Sequence, residues 1–445
     1  MKTNYIRYSI LTGVLLCNAA MATQVALDVS LTNPLLEADK KQSVFLKVGL
    51  RGFELPSNTR RARVNLALVI DKSGSMQGEK IKQAKEAALM AVSRLRDDDI
   101  ISILAYDNSV QVLVPATRAS DRVAIRKGIE QLSAGGSTAL YAGVSKGAGE
   151  VRKFFEKNQV NRVILLSDGQ ANVGPKTPGA LGELGASLVK ERISVTTIGL
   201  GLGYNEDLMA RLARQSDGNH AFVENPYDLA RIFNSEFGDV LSVVAQEVEV
   251  KIRCTNGVRP IRVLGRDADI AGQFVVVRMN QLYSCQEKYV MLEVEIPSKE
   301  AGESINVASV DVVYDNITTS NRDRLASTVG ARFTKSKKEV QQRLNKEVMA
   351  EAVMQIGVDV NEKAVALRDQ GKVEEAQKLL FGNGNYLKKN ALALGSKELD
   401  EDALRNYDDS KNLEGANWNY QRKSMRSRQY NLANQQDYGI APIKK

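Results

Sequence analysis

The sequence predicts a multidomain protein: a doubly wound, Rossmann-like α/β domain, an antiparallel β-sandwich and a C-terminal α-helical region. Three observations predict it. Between Val64 and Val244, short apolar runs alternate with amphipathic stretches of helical period, the pattern of a mainly parallel sheet covered on both faces. After Gln246 that alternation stops, and strand-like runs follow one another with turn residues between them. From Ser336 onward, apolar residues recur every three or four positions.

Taken in order, residues 1–22 read as an export signal. Lys2 and Arg7 precede the apolar stretch "ILTGVLLC", and "AMA" ending at Ala22 offers a small-residue cleavage site. A buried first helix is the other reading, and bulky Leu16 before Cys17 argues against a lipid anchor. Residues 23–58 hold two alternating runs, "VALDVSL" and "SVFLKVGL", that resemble the later sandwich strands more than the middle of the chain. We therefore read them as completing the sandwich of residues 243–335, with residues 59–242 inserted between; a separate N-terminal hairpin is the alternative. Within the insert, "VNLALVI", "DIISILAY", "VQVLV", "NRVILLS", "ISVTTIGL" and "HAFV" are strands, separated by helices such as "EKIKQAKEAALMAVSRL" and "ALYAGVSKGAGEVRKFF". The sandwich strands are "EVEVKIRC", "VRPIRVLG", "GQFVVVRM", "YVMLEVEIP" and "INVASVDVVYD". Residues 336–406 read as a helical hairpin region. One long helix from Ser336 presents Val340, Leu344, Val348, Ala352, Ile356 and Val360 on one face, and Gly371 breaks it. Residues 407–445 read as a basic, disordered tail.

The formal charge of +8 does not describe the folded body. Lys2 and Arg7 leave with the signal, and most of the remaining excess lies beyond Asn417, in Arg422, Lys423, Arg426, Arg428, Lys444 and Lys445. A nearly neutral body excludes a nucleic-acid binder, while the tail could touch an anionic envelope surface. No run of eighteen apolar residues is present, so no transmembrane helix is expected. After signal removal only Cys254 and Cys285 remain. In an oxidising compartment they could pair, closing a loop of about thirty residues for roughly 3–4 kcal/mol, or stay as two separate thiols.

The stretch with the most chemistry is "DKSGS", at the end of the apolar strand "VNLALVI". Asp71, Ser73 and Ser75 place three oxygen-bearing side chains at alternate positions. Thr138 follows Gly135 and Gly136 in "GGSTAL", and Asp168 ends another apolar strand in "LLSDG". Open α/β sheets bind ligands at the carboxyl ends of their strands, so these positions should converge. Hydroxyls and carboxylates suit Mg²⁺, Ca²⁺ or Mn²⁺ rather than zinc. Taken alone, "DKSGS" also fits an ordinary strand–helix turn with a serine cap.

Together, Asp-x-Ser-x-Ser, Gly-Gly-x-Thr and Ser-Asp-Gly resemble the metal-ion-dependent adhesion site of von Willebrand factor type A domains. On that resemblance Ser73 and Ser75 contact the ion directly, Asp71 and Asp168 act directly or through water, and Thr138 joins in one of two states. It further implies that the ion's vacant position captures a carboxylate from a partner, and that the last helix of the domain shifts when it does. The whole layout looks like exported bacterial proteins with a type A domain set in a β-sandwich, and is loosely similar to inter-α-trypsin inhibitor heavy chains and calcium-activated chloride channel regulators. The expected function is metal-dependent binding of a protein ligand with an acidic side chain, in adhesion or envelope assembly, in the periplasm or at the cell surface. A structural or regulatory subunit with a purely structural ion is the alternative.

Other motifs carry less. "GLGLG" at Gly199–Gly203 lacks the dinucleotide spacing and reads as a turn. The single histidine, His220, lies in an apparent strand, which argues against hydrolase chemistry and so against an enzyme. "NIT" at Asn316 matches a glycan acceptor, and Trp418, Tyr420, Tyr430 and Tyr438 could stack on a partner or simply reflect tail composition.

Overall fold

The computed structural model describes residues 24–55, 61–415 and 417–436; the expected export signal lies outside them. A six-stranded sheet forms the centre of the inserted domain. Its strands run, in spatial order, Val110–Arg118, Ile100–Tyr106, Arg63–Asp71, Gln159–Ser167, Ser194–Leu200 and His220–Val223. All neighbours are parallel except the first pair. The Arg63–Asp71 strand is buried along nearly its whole length, as its continuous apolar run requires. Successive side chains serve opposite faces. Val64, Leu66, Leu68 and Ile70 pack with Ala84, Ala87, Ala88 and Ala91 of helix Glu79–Ser93 and with Ile232 and Phe233 of helix Leu229–Leu241. Ala67 and Val69 pack with Leu140 and Val144 of helix Leu140–Arg152 on the other face. The chain leaves Arg63–Asp71 for one side of the sheet and later returns to its other side at Gln159–Ser167. The switch point therefore lies between these two strands, with Asp71 and Asp168 at their carboxyl ends.

The sandwich has two sheets. One orders Val25–Leu31, Gln42–Gly52, Glu287–Ile296 and Arg259–Leu264; the other orders Asp269–Ala271, Phe274–Tyr283, Val243–Cys254, Ser304–Asn316, Arg322–Thr334 and Leu35–Glu37. The residues before the insert thus contribute to both sheets: Gln42–Gly52 pairs antiparallel with Glu287–Ile296, and Leu35–Glu37 pairs parallel with Arg322–Thr334. Val44, Leu46, Val48 and Leu50 share one core with Val250, Ile252, Leu292 and Val312.

Three expectations need correction. Cys254 and Cys285 are both free, one buried and one exposed. Strand Val243–Cys254 runs antiparallel to Phe274–Tyr283, with Val243 opposite Tyr283. Cys254 and Cys285 therefore sit at opposite ends of the ladder, roughly 35 Å apart at about 3.3 Å per residue, whereas a disulfide needs Cα atoms within about 7 Å. The helix expected from Ser336 is two helices, Lys337–Gln342 and Lys346–Asp369. Asn345 breaks it: its backbone N–H donates to Thr32 O (2.8 Å) and its side chain accepts from Val348 N. The described residues after 406, 407–415 and 417–436, are not a disordered tail. Lys397–Lys411 and Trp418–Asn434 are helices, and the second buries Met425 and Tyr430. Its basic residues are paired within the chain: Arg422 with Glu206, Asp207 and Asp369, Lys423 with Glu206, Arg426 with Asp207, and Arg428 with Asp402 and Asp409. Trp418 lies over Arg368, and Tyr420 packs beside Phe222. These cations and aromatics are committed internally and do not form a free basic surface; Tyr438, Lys444 and Lys445 lie outside the described residues.

Candidate functional site

The site forms where three loops meet above the switch point. Asp71 ends its strand fully buried. Its Oδ1 accepts from Ser73 N (2.8 Å), and its Oδ2 accepts from Ser167 Oγ (2.7 Å) and Tyr106 OH (3.4 Å). Burial raises its pKa, opposed by the hydrogen bonds from Ser73 and Ser167. Asp168 is likewise fully buried. Its Oδ1 accepts from Ser75 Oγ (2.6 Å), and its Oδ2 accepts from the Lys80 ammonium (2.5 Å). Ser73 Oγ and Ser75 Oγ lie 3.1 Å apart.

Glycines let the loops approach. Gly74 N donates to Gly136 O (3.0 Å), and Gly135 N to Lys72 O (2.6 Å). Gly136 has φ +89°, and a Cβ there would lie 2.8 Å from Asp107 Cβ, so both its conformation and its space require glycine. Thr138 is held by its backbone. Its N–H donates to Asn172 Oδ1 (2.8 Å), and its carbonyl accepts from Asn172 N (3.1 Å) and Val173 N (3.3 Å).

The structure brings all five expected residues together. A Cβ built on Gly169 would stand 3.1 Å from Thr138 Oγ1, 3.6 Å from Ser75 Oγ and 3.8 Å from Ser73 Oγ. Three hydroxyls thus surround one small space beside the Asp168 carboxylate. Among the described residues no three His, Cys, Asp or Glu side chains converge on a metal-sized point. Two carboxylates with three hydroxyls are nevertheless a hard-oxygen set that fits Mg²⁺, Ca²⁺ or Mn²⁺.

Residues 65–235 match the family model of the von Willebrand factor type A domain. The chain contains a von Willebrand factor type A domain. An uncharacterized protein of Synechocystis sp. is 28% identical over 267 residues, 58% of this chain and 63% of that one. Human inter-alpha-trypsin inhibitor heavy chain H3 is 28% identical over 173 residues, 37% of this chain and 19% of that one. The chain therefore spans less than two thirds of these curated relatives. Among solved structures, a von Willebrand factor type A protein from Catenulispora acidiphila superposes with TM-score 0.69 at 16% identity, over 93% of this chain and 97% of its own. That likeness is one of fold, and it takes in the sandwich and helices as well as the type A domain.

Sequence reasoning missed four supports of the site: Lys80, Asn172, Tyr106 and Gly203. Lys80 left only a faint trace. It stands in the first turn of helix Glu79–Ser93, where the helix dipole mildly disfavours a cation, a signal too weak to name a partner. The "GLGLG" stretch is a turn, as expected, and it buttresses the site: a Cβ on Gly203 would come within 2.5 Å of Asp168 O. His220 bonds through Nδ1 to Thr197 Oγ1 (2.8 Å), and burial pushes its pKa down to about 3, so it is neutral near pH 7. Asn316 is buried, and its Nδ2 donates to Asp323 Oδ2 (2.8 Å), so its amide nitrogen is already engaged.

Proposed function

We propose that the protein is an exported binding protein, acting in adhesion or envelope assembly, that captures an acidic group of a protein partner through a divalent cation. Asp71, Ser73, Ser75, Thr138 and Asp168 would hold the ion. When bound, the cation supplies a Lewis-acidic position for a carboxylate oxygen. The observation that carries this reading is the convergence of three hydroxyls on the Gly169 space beside Asp168, at the switch point of the sheet. Around that space the chain's own residues orient the candidate ligands. Ser167, Tyr106 and Ser73 N fix both oxygens of Asp71, Asn172 holds the Thr138 loop, and Gly203 closes against the Asp168 backbone. Burial pushes the Tyr106 pKa well up, so its hydroxyl keeps its proton and donates.

The export reading rests on residues 1–22. No described helix is long and apolar enough to cross a membrane. Titration calorimetry with Mg²⁺ and Mn²⁺ on the mature chain and on Asp71→Ala tests the site. Saturable binding that Asp71→Ala abolishes while the fold persists is expected; equal affinity in both proteins refutes it. A pull-down from envelope extract in Mg²⁺ and then in chelator tests whether the ion faces a partner.

A further inference from the structure

Lys80 is the one element of this cluster that a cation site would not be expected to contain. Its ammonium lies 2.5 Å from Asp168 Oδ2, and Asp168 is wholly buried while the lysine side chain keeps 29% exposure. The stem passes over the "GLGLG" turn, with Cε and Nζ each 3.6 Å from where a Cβ of Gly201 would stand. The other nearby cation, Lys72, is spent on Asp107 at 2.5 Å and bonds to none of the five candidate ligands. Asp168 thus serves two masters: Oδ1 takes the Ser75 hydroxyl, and Oδ2 takes an ammonium from the same chain.

We infer that Lys80 is a built-in counter-ion that competes with the divalent cation for Asp168, so that the ion must displace it. This deepens the reading above and rests on it. Two buried carboxylates at adjoining strand tips would repel and would each be costly to desolvate. The ammonium neutralises one of them when no ion is bound and keeps the hydroxyl cluster assembled. A divalent ion brings two further positive charges to the same carboxylate, and at hydrogen-bond range an ammonium and a metal ion repel strongly in a partly desolvated site. Binding therefore drives Lys80 off Oδ2. Its part-exposed stem gives it a way out to solvent, at the rim where a partner's acidic group would arrive. The site consequently binds its ion weakly but does not depend on the ion for its fold.

The test is calorimetric titration of Mg²⁺ and Mn²⁺ into the full mature chain, compared with Lys80→Met and with Lys72→Met as a charge-matched control. Lys80→Gln, which retains a donor for Asp168 without the charge, replaces Lys80→Met if that variant does not fold. Removing the Lys80 charge should tighten divalent binding at least tenfold (1.4 kcal/mol), while Lys72→Met stays within about threefold. Thermal melts should cross over: in chelator the Lys80 variant melts below the wild type, and Mg²⁺ raises its melting temperature by more than it raises the wild type's. Equal or weaker ion binding by the Lys80 variants, with binding intact in the wild type, overturns the counter-ion role and leaves the metal site standing. No Mg²⁺ or Mn²⁺ binding by any of the proteins overturns both.

Discussion

Arg162 is a guanidinium with no solvent contact, and replacing it tests how the type A domain is joined to the sandwich. It lies mid-molecule on strand Gln159–Ser167. Its Nη1 donates to Glu236 Oε1 (2.5 Å) on helix Leu229–Leu241, and its Nη2 to Tyr283 OH (2.8 Å) and Gln281 of the sandwich. Arg162 and Glu236 are both fully buried. Arg162→Met would take the guanidinium away from the buried Glu236 carboxylate, which also accepts from the Thr196 hydroxyl and the Asn219 amide. Removing one partner of such a buried pair costs about 3–5 kcal/mol, much of it the penalty of a buried charge that has lost its counter-charge. Removing both charges, as Arg162→Met with Glu236→Leu, should recover at least about 2 kcal/mol of that loss, since apolar replacement of a buried pair is often close to neutral. Urea unfolding of the two single variants and the double variant measures this. An Arg162→Met protein within about 1 kcal/mol of wild type, or a double variant as unstable as the sum of the singles, refutes the reasoning. The same network bears on switching: the last helix of the type A domain cannot shift without disturbing bonds to both the central strand and the sandwich.

Three further outcomes follow from the geometry. Burial and the neighbouring Glu236 charge raise Asp239 to about 6, against a hydrogen bond from Gln286 that lowers it. Its folded pKa exceeds its unfolded one, so its stabilising contribution is full below pH 3.8 and is lost as pH rises through 6; Asp239→Asn should match wild type near pH 4 and exceed it by up to about 3 kcal/mol above pH 7, and a pH-independent difference in thermal melts would count against this. Gly203→Ala, forced against Asp168 O, should cost about 1–3 kcal/mol and weaken divalent binding, while Gly149→Ala, a helix position with nothing within 4 Å, should stabilise by about 0.5–1 kcal/mol; equal ion affinity in the two variants would separate Gly203 from the site. Alkylation of the native protein followed by mass spectrometry should label exposed Cys285 and spare Cys254, because Cys254 is buried and its thiol is pushed up to about 11; equal labelling of these two without denaturant would contradict the fold.

The central sheet was legible because most of its strands are short apolar runs separated by amphipathic helices, and the five candidate ligands were legible because two of their three motifs end such strands in oxygen-bearing residues, at Asp71 and at Ser167–Asp168. What escaped depended on distance in space. Lys80 reads as one more helix lysine until the chain folds it onto Asp168. Helix Trp418–Asn434 escaped for a different reason: it buries Lys423, Ser427 and Gln429 alongside Met425 and Tyr430, so its inward face carries no apolar period. Tyr430 OH donating to Gly218 O (2.7 Å) and Lys423 Nζ to Tyr204 O (2.9 Å) are what hold it, and neither leaves a local trace in sequence. The disulfide expectation failed on strand direction, since two cysteines a plausible spacing apart lie at opposite ends of one antiparallel ladder.

The insertion of the type A domain also decides how the molecule would bear tension. The chain leaves the sandwich at Gly52 and re-enters it at Val243–Val244, and these points touch: a Cβ on Gly52 would lie 2.9 Å from Val244 Cγ2. One of these strands belongs to each sheet of the sandwich. A pull applied at the Asp71–Asp168 end of the type A domain is therefore divided at once between two load-bearing strands. Each is hydrogen-bonded to neighbours on both sides, Gln42–Gly52 to Val25–Leu31 and Glu287–Ile296, and Val243–Cys254 to Phe274–Tyr283 and Ser304–Asn316. Force along those strands must slide whole ladders past each other, and it finds no free end from which bonds could be peeled one at a time.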